Sequence, residues 1–351
     1  PTPPPLRSSA ASDVYKRQNY PTNKPAVNQL VNMSRLLLFT SACALALTTL
    51  TAQQDPQFTQ WYMEPAAFNP AVAGNSDLTC VSGTYRNQWE GLDRDPNTSM
   101  LTAHTYVDPL KGGVLLSVYQ DALGQEENIM ARLGYAYQLE PLSNGAIVSA
   151  GLSATMFQKK LGNNWIAIDD YTLDSAIPND ESQSSTVDLD FGVFIRKPGS
   201  FYAGLSASHL LERELADFSI QPRRHIYAMG GYTHPLDGDY LLLRTNILAK
   251  TDLAATIADV NVNVLWNEMV WGGLSWRPGD AIAPTVGFEY SMESTDRTNS
   301  SQQIFRLGYS YDVTTSELSN YSSGSHEVFL SYCFKFETIP VTNRYANPRF
   351  L

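Results

Sequence analysis

Charge is scarce in this chain: 17% of its 351 residues are Asp, Glu, Lys or Arg, a low share for a soluble domain. The balance is acidic, with a formal net charge of -11, which removes the electrostatic basis for nucleic-acid binding. Cysteine is rarer still, at three residues, too few for a disulfide scaffold or a thiolate metal cluster. The five histidines, at 104, 209, 225, 234 and 326, are scattered without a His-x-x-x-His pair, so neither a metal nor a cofactor is expected. No Gly-x-Ser-x-Gly elbow occurs, which leaves a hydrolase nucleophile without support, and no catalysis is expected. Beyond one stretch near the N-terminus, no run of 18 apolar residues exists, which argues against inner-membrane helices.

That one stretch reads as an export signal. Met33-Ser-Arg35 is followed by the apolar run Leu36–Leu47 and by Thr-Thr-Leu-Thr-Ala52, a small residue before Gln53. A single positive charge, a short apolar core and a small residue define a secretory signal peptide over 33–52. A lipoprotein reading through Cys43 leaves too short an apolar region. Residues 1–32 lie upstream of this start and resemble adapter-derived translation, so they are set aside from fold reasoning.

What the chain has in quantity is apolar residues in alternate positions. In the C-terminal stretch, Val328, Leu330, Tyr332, Phe334 and Phe336 share one face, opposite Glu327, Phe329, Ser331, Cys333 and Lys335. Ile129, Ala131, Leu133, Tyr135 and Tyr137 oppose Arg132, Gly134, Ala136 and Gln138 in the same manner. Such period-2 patterning predicts about fourteen strands, near 77–87, 98–108, 113–121, 128–139, 146–158, 186–196, 200–210, 225–235, 240–250, 258–267, 269–277, 283–292, 302–313 and 325–337. Period alone does not separate a soluble sandwich from a membrane barrel. The connections do: even-numbered links are mostly tight, whereas 159–185 and 212–224 are long, the rhythm of short periplasmic turns and longer external loops. The link 293–301 breaks it. The expected fold is therefore all-β, an outer-membrane antiparallel barrel over 77–337, with a C-terminal tail at 338–351. Trp61, Trp89, Trp266, Trp271 and Trp276, with 19 Tyr, suit interfacial girdles.

Between the signal and the first strand, segment 53–76 carries Pro56, Pro65 and Pro70, which forbid a regular strand or helix. Two readings stand: its Gln57, Phe58, Gln60, Tyr62, Phe68, Asn69 and Pro70 dock a periplasmic partner, or the segment plugs the lumen. Arg86, Trp89 and His104 fall at lumen-phase or rim positions. Arg132, Arg196, Arg244 and Arg306, with Asp188, Asp190 and Asp312, suggest interior charge ladders. Acidic residues 169–181 in the longest loop read as a solvated loop rather than a calcium site. Closure of an even-stranded barrel makes the first and last strands neighbours, bringing Cys80 and Cys333 to similar height on the inward phase. The exported compartment permits a disulfide there without requiring one.

Several stretches carry a family likeness: Gln54-Asp-Pro-Gln-Phe-Thr-Gln60, Phe68-Asn-Pro-Ala-Val-Ala-Gly74, Thr84-Tyr-Arg-Asn-Gln-Trp89, Thr102-Ala-His104, Tyr202-Ala-Gly-Leu-Ser206, His209-Leu-Leu211, Arg277-Pro-Gly-Asp-Ala-Ile282, Leu307-Gly-Tyr-Ser-Tyr-Asp312 and Tyr321-Ser-Ser-Gly-Ser-His-Glu327. In this order, across nearly the whole exported chain, they resemble the PorP/SprF family of the Bacteroidetes type IX secretion and gliding machinery. Trp61-Tyr-Met-Glu64 is an unusual local spelling, and the tail is short. The resemblance implies a non-enzymatic outer-membrane barrel in contact with membrane lipid. It implies partners among periplasmic ring or peptidoglycan-binding proteins, and a large secreted adhesin or cargo protein. A diffusion channel for small solutes is the rival reading.

Overall fold

The computed structural model describes residues 55–76, 78–163, 181–218, 220–295 and 300–335. The expected signal peptide, the upstream residues, the tail at 338–351 and the acidic run up to Asn179 and Asp180 lie outside them.

Among the described residues the chain forms fourteen antiparallel strands: β1 (Thr79–Asn87), β2 (Asn97–Val107), β3 (Gly112–Leu123), β4 (Glu126–Gln138), β5 (Ile147–Leu161), β6 (Ser182–Lys197), β7 (Phe201–Ser208), β8 (His225–Asp237), β9 (Leu241–Thr251), β10 (Thr256–Trp266), β11 (Val270–Arg277), β12 (Ala281–Thr295), β13 (Ser300–Thr314) and β14 (Ser325–Phe334). Each pairs with its sequence neighbours, and β1 pairs with β14, so the sheet closes into a barrel with no free edge. Closure is what a lipid-facing sheet requires, because hydrocarbon offers an unpaired N–H or C=O no partner. The anomalous link at 293–301 shrinks to residues 296–299, because β12 and β13 run further than the alternation predicts.

Alternation sorts side chains inside from outside. Leu101, Leu133 and Leu205 stand outward, more than half exposed, while Arg86, Asp188 and Glu327 on the opposite phase are at most 1% exposed. Apolar outside and polar inside inverts a soluble protein and suits a cylinder in lipid. Trp266 and Trp276 face outward at opposite ends of the β10–β11 hairpin region, as girdle residues do. Trp61 and Trp271 do not: both are 1% exposed and lie inside, a correction to the girdle assignment. Trp89 sits half-buried in the β1–β2 connection at φ 57°, its N–H donated to Ser325 Oγ.

Cys80 lies opposite Cys333 in the β1–β14 register, and the two are joined by a disulfide across the closing seam.

Candidate functional site

The interior is occupied by the chain's own N-terminal segment. Residues 55–76 fold as three single 3-10 turns, Trp61–Met63, Pro65–Ala67 and Pro70–Val72. Proline begins the second and third turns, where its missing N–H and fixed φ cost nothing, and its recurrence keeps any longer helix from forming. Asn69 caps the third turn by accepting from the Ala71 N–H at 2.9 Å.

An ionic cluster grips one part of this segment. The Glu327 carboxylate on β14 accepts from the backbone N–H groups of Thr59 and Gln60, each at 2.7 Å. Arg86 on β1 reaches Asp312 on β13 at 2.7 Å, Glu327 at 3.2 Å and Thr59 Oγ1 at 2.9 Å. Arg277 on β11 closes the group, 3.0 Å from Asp259 and 3.4 Å from Asp312. Charges this deeply buried are tolerable only when each is paired and hydrogen-bonded.

Elsewhere the wall holds the segment through its backbone. Ser149 donates to the Ala71 carbonyl at 2.6 Å, Ser206 to Phe68 at 2.7 Å and Gln138 to Gly74 at 2.6 Å. Arg132, paired with Asp190 at 2.9 Å, also donates to the Ala67 carbonyl. Asn69 Nδ2 donates to the Val193 carbonyl at 3.1 Å. His104 faces Glu64 at 3.7 Å, and Ser82 donates to the same carboxylate. Glycines on the inner face make this approach close enough. A Cβ on Gly151 would stand 2.5 Å from the Ala71 nitrogen, and one on Gly113 2.1 Å from the Ala73 oxygen.

The docking set drawn from the sequence is therefore turned inward. Phe58, Gln60, Asn69 and Pro70 are buried, and Gln57, Tyr62 and Phe68 are half-buried. Phe68 packs on Phe58 and Tyr227, and Tyr62 meets Trp271 edge-on at 6.2 Å. Of the two readings of 53–76, the described residues adopt the plug; exposed docking aromatics are corrected by their burial. Tyr62 is raised above the usual phenol pKa by that burial. Arg86 and Asp312 meet as described, and Arg306 and Arg244 share Glu289 at 3.1 and 3.7 Å.

The two ends of the lumen differ. Over one, the β7–β8 connection (209–224) folds inward, burying Leu215 against Met130 and Phe157. At the other, the short-turn end, a recess of about 570 Å³ remains open, lined by Tyr62, Glu64, Arg196, Lys197, Arg244, Glu289 and Arg306. By the usual asymmetry of such barrels, this recess faces the periplasm.

Three residues far apart in sequence meet beneath the β7–β8 connection. Asp55, His209 and His225 each bring one ligand-type atom within 4.8 Å of the others. Burial pushes the Asp55 carboxyl up, but His209, His225 and Lys250 outweigh it and hold the group well below the usual range. Burial lowers His209, and Asp55 with Asp188 more than reverses this, pushing its pKa up to about 10. Sequence spacing held no sign of this meeting, because the plug supplies one member and the two ends of a long loop the others.

A closed fourteen-stranded barrel, greasy outside and plugged by its leading segment, is an outer-membrane β-barrel protein. The chain belongs to the family described as type IX secretion system membrane protein PorP/SprF, whose model matches residues 50–332. It is thus an outer-membrane barrel component of that secretion system. No curated relative matches the chain. Solved structures it is similar to include the toluene transporter TbuX of Ralstonia pickettii, at 10% identity and TM-score 0.47, covering 80% of this chain and 94% of that one. The CymD monoaromatic hydrocarbon channel is similar at 9% identity and TM-score 0.45, covering 81% and 94%. The outer-membrane protein Omp33 of Acinetobacter baumannii is similar at 11% identity and TM-score 0.39, covering 74% and 98%.

Proposed function

We propose that this barrel acts without catalysis, supporting the export or surface anchoring of a secreted protein or adhesin by protein recognition. The observation that carries this reading is the lumen filled by residues 55–76 and bonded to β1, β4, β5, β7 and β14. With much of the interior polar surface engaged by the plug, recognition falls to the outer surfaces and the open recess. The open recess at the short-turn end suits a periplasmic ring or peptidoglycan-binding partner. The long connections at the other end suit an adhesin, in secretion or in gliding.

Affinity capture from detergent-solubilised outer membranes, with the exported chain as bait, tests it. Recovery of a periplasmic ring component together with a large secreted protein is expected, and deletion of the gene is expected to remove that protein from the cell surface. Stable unitary conductance of the intact chain in planar bilayers, with secretion unchanged in the deletion strain, would establish the diffusion channel instead.

A further inference from the structure

We propose that Asp55, His209 and His225 bind one divalent transition-metal ion of the Zn²⁺ type, which fastens the leading end of the plug to the mouth beneath the β7–β8 connection. His209 Nε2 lies 3.4 Å from Asp55 Oδ1, and one ligand-type atom from each of the three residues lies within 4.8 Å of the other two. Two donors each about 2.1 Å from a tetrahedral ion stand about 3.4 Å apart. The His209–Asp55 separation already has that value, and drawing His225 in from within 4.8 Å needs a shift of no more than about 1.4 Å. For a charge-assisted hydrogen bond 3.4 Å is long.

The two rings are 3% and 2% exposed, and each keeps a buried nitrogen with no hydrogen-bond partner, Nδ1 of His209 and Nε2 of His225. With Nδ1–H of His225 donated to the Arg223 carbonyl at 3.0 Å, its neutral form leaves Nε2 as an unused lone pair. That is the state a metal ligand needs.

Around these atoms stands a set of orienting groups. Asp188 Oδ2 lies 3.6 Å from His209 Nδ1, placing a carboxylate behind a coordinating imidazole. Its other oxygen is fixed by the N–H groups of Leu189 at 2.7 Å and Leu211 at 2.8 Å. Asp55 is aimed by Tyr227, whose hydroxyl donates to Oδ2 at 2.5 Å. Beside the three side chains, a cavity of about 40 Å³ is lined also by Asp121 and Asn128. That is room for a water or two, enough to complete the coordination of an ion with three protein ligands. Two imidazoles and one carboxylate select a borderline ion over Ca²⁺ or Mg²⁺, which prefer oxygen alone.

The test uses the exported chain, carrying no polyhistidine tag, purified in detergent after chelation and loaded with Zn²⁺ or Co²⁺. One equivalent of zinc is expected to co-elute with the protein in gel filtration and to raise its unfolding temperature. His209→Ala and His225→Ala are expected to weaken binding at least about 100-fold, and Asp188→Asn about 10- to 100-fold. His234→Ala, at an exposed histidine, is expected to bind as the parent does. Heat-modifiable electrophoretic mobility checks that each variant remains a barrel. Should the histidine variants fail to fold, the Co²⁺ absorption of the parent decides: intense bands of a low-coordinate site support the proposal, and the weak spectrum of the hydrated ion overturns it. Zinc retained equally by parent and variants, or by neither, reduces the cluster to a hydrogen-bonded ion pair.

Discussion

Glu327 is one of the side chains through which barrel and plug become one unit. Its two oxygens take backbone N–H groups from Thr59 and Gln60, and Arg86 neutralises the charge this leaves. Replacing Arg86 by Ala leaves the buried Glu327 without its cation and Asp312 with Arg277 alone. A loss of about 3–5 kcal/mol is expected, read as a lower unfolding temperature in detergent, with Arg86→Lys intermediate because it keeps the charge but not the fork. Arg86 and Asp312 were legible from strand phase, and so was the inward position of Glu327. That these three converge on Thr59 was not, because nothing in a strand's period says what will fill the space inside. The meeting of Asp55, His209 and His225 was hidden for the same reason. Its members are neighbours only after the plug is threaded.

At the scale of elements, alternation carried most of the fold. All fourteen strands fall within a few residues of their predicted positions, and register at the seam follows from closure. The plug was legible only as a segment that could be neither helix nor strand. Its fit depends on Gly113 and Gly151, whose missing Cβ atoms admit its backbone. Gly151→Val is expected to expel the third turn while leaving the barrel intact. Limited proteolysis within 55–76 should be fast in the variant and slow in the parent. The seam yields a second expectation. Removing the disulfide by Cys80→Ser is expected to cost about 2–4 kcal/mol, seen as a downward shift in heat-modifiability under non-reducing conditions. The β1–β14 hydrogen bonds persist, so the barrel still closes.

For the molecule as a whole, an apolar exterior sets the location and a filled interior sets what it can do. Intact, the protein is expected to show no stable conductance in planar bilayers; a variant lacking residues 55–76 is expected to conduct. Conductance of equal size in both would mean that the plug does not obstruct the lumen. The membrane class was legible because lipid and water impose opposite preferences on alternate residues of every strand. The filled interior was not, since a polar lumen reads alike whether water or protein fills it.

The innermost part of this protein is also the part that leads the folded chain, directly ahead of β1. Synthesis therefore delivers the filling before the wall, and the last strand, β14, is the one that pairs with β1. The disulfide at that joint ties the first strand to the last around a filling that precedes both in the chain.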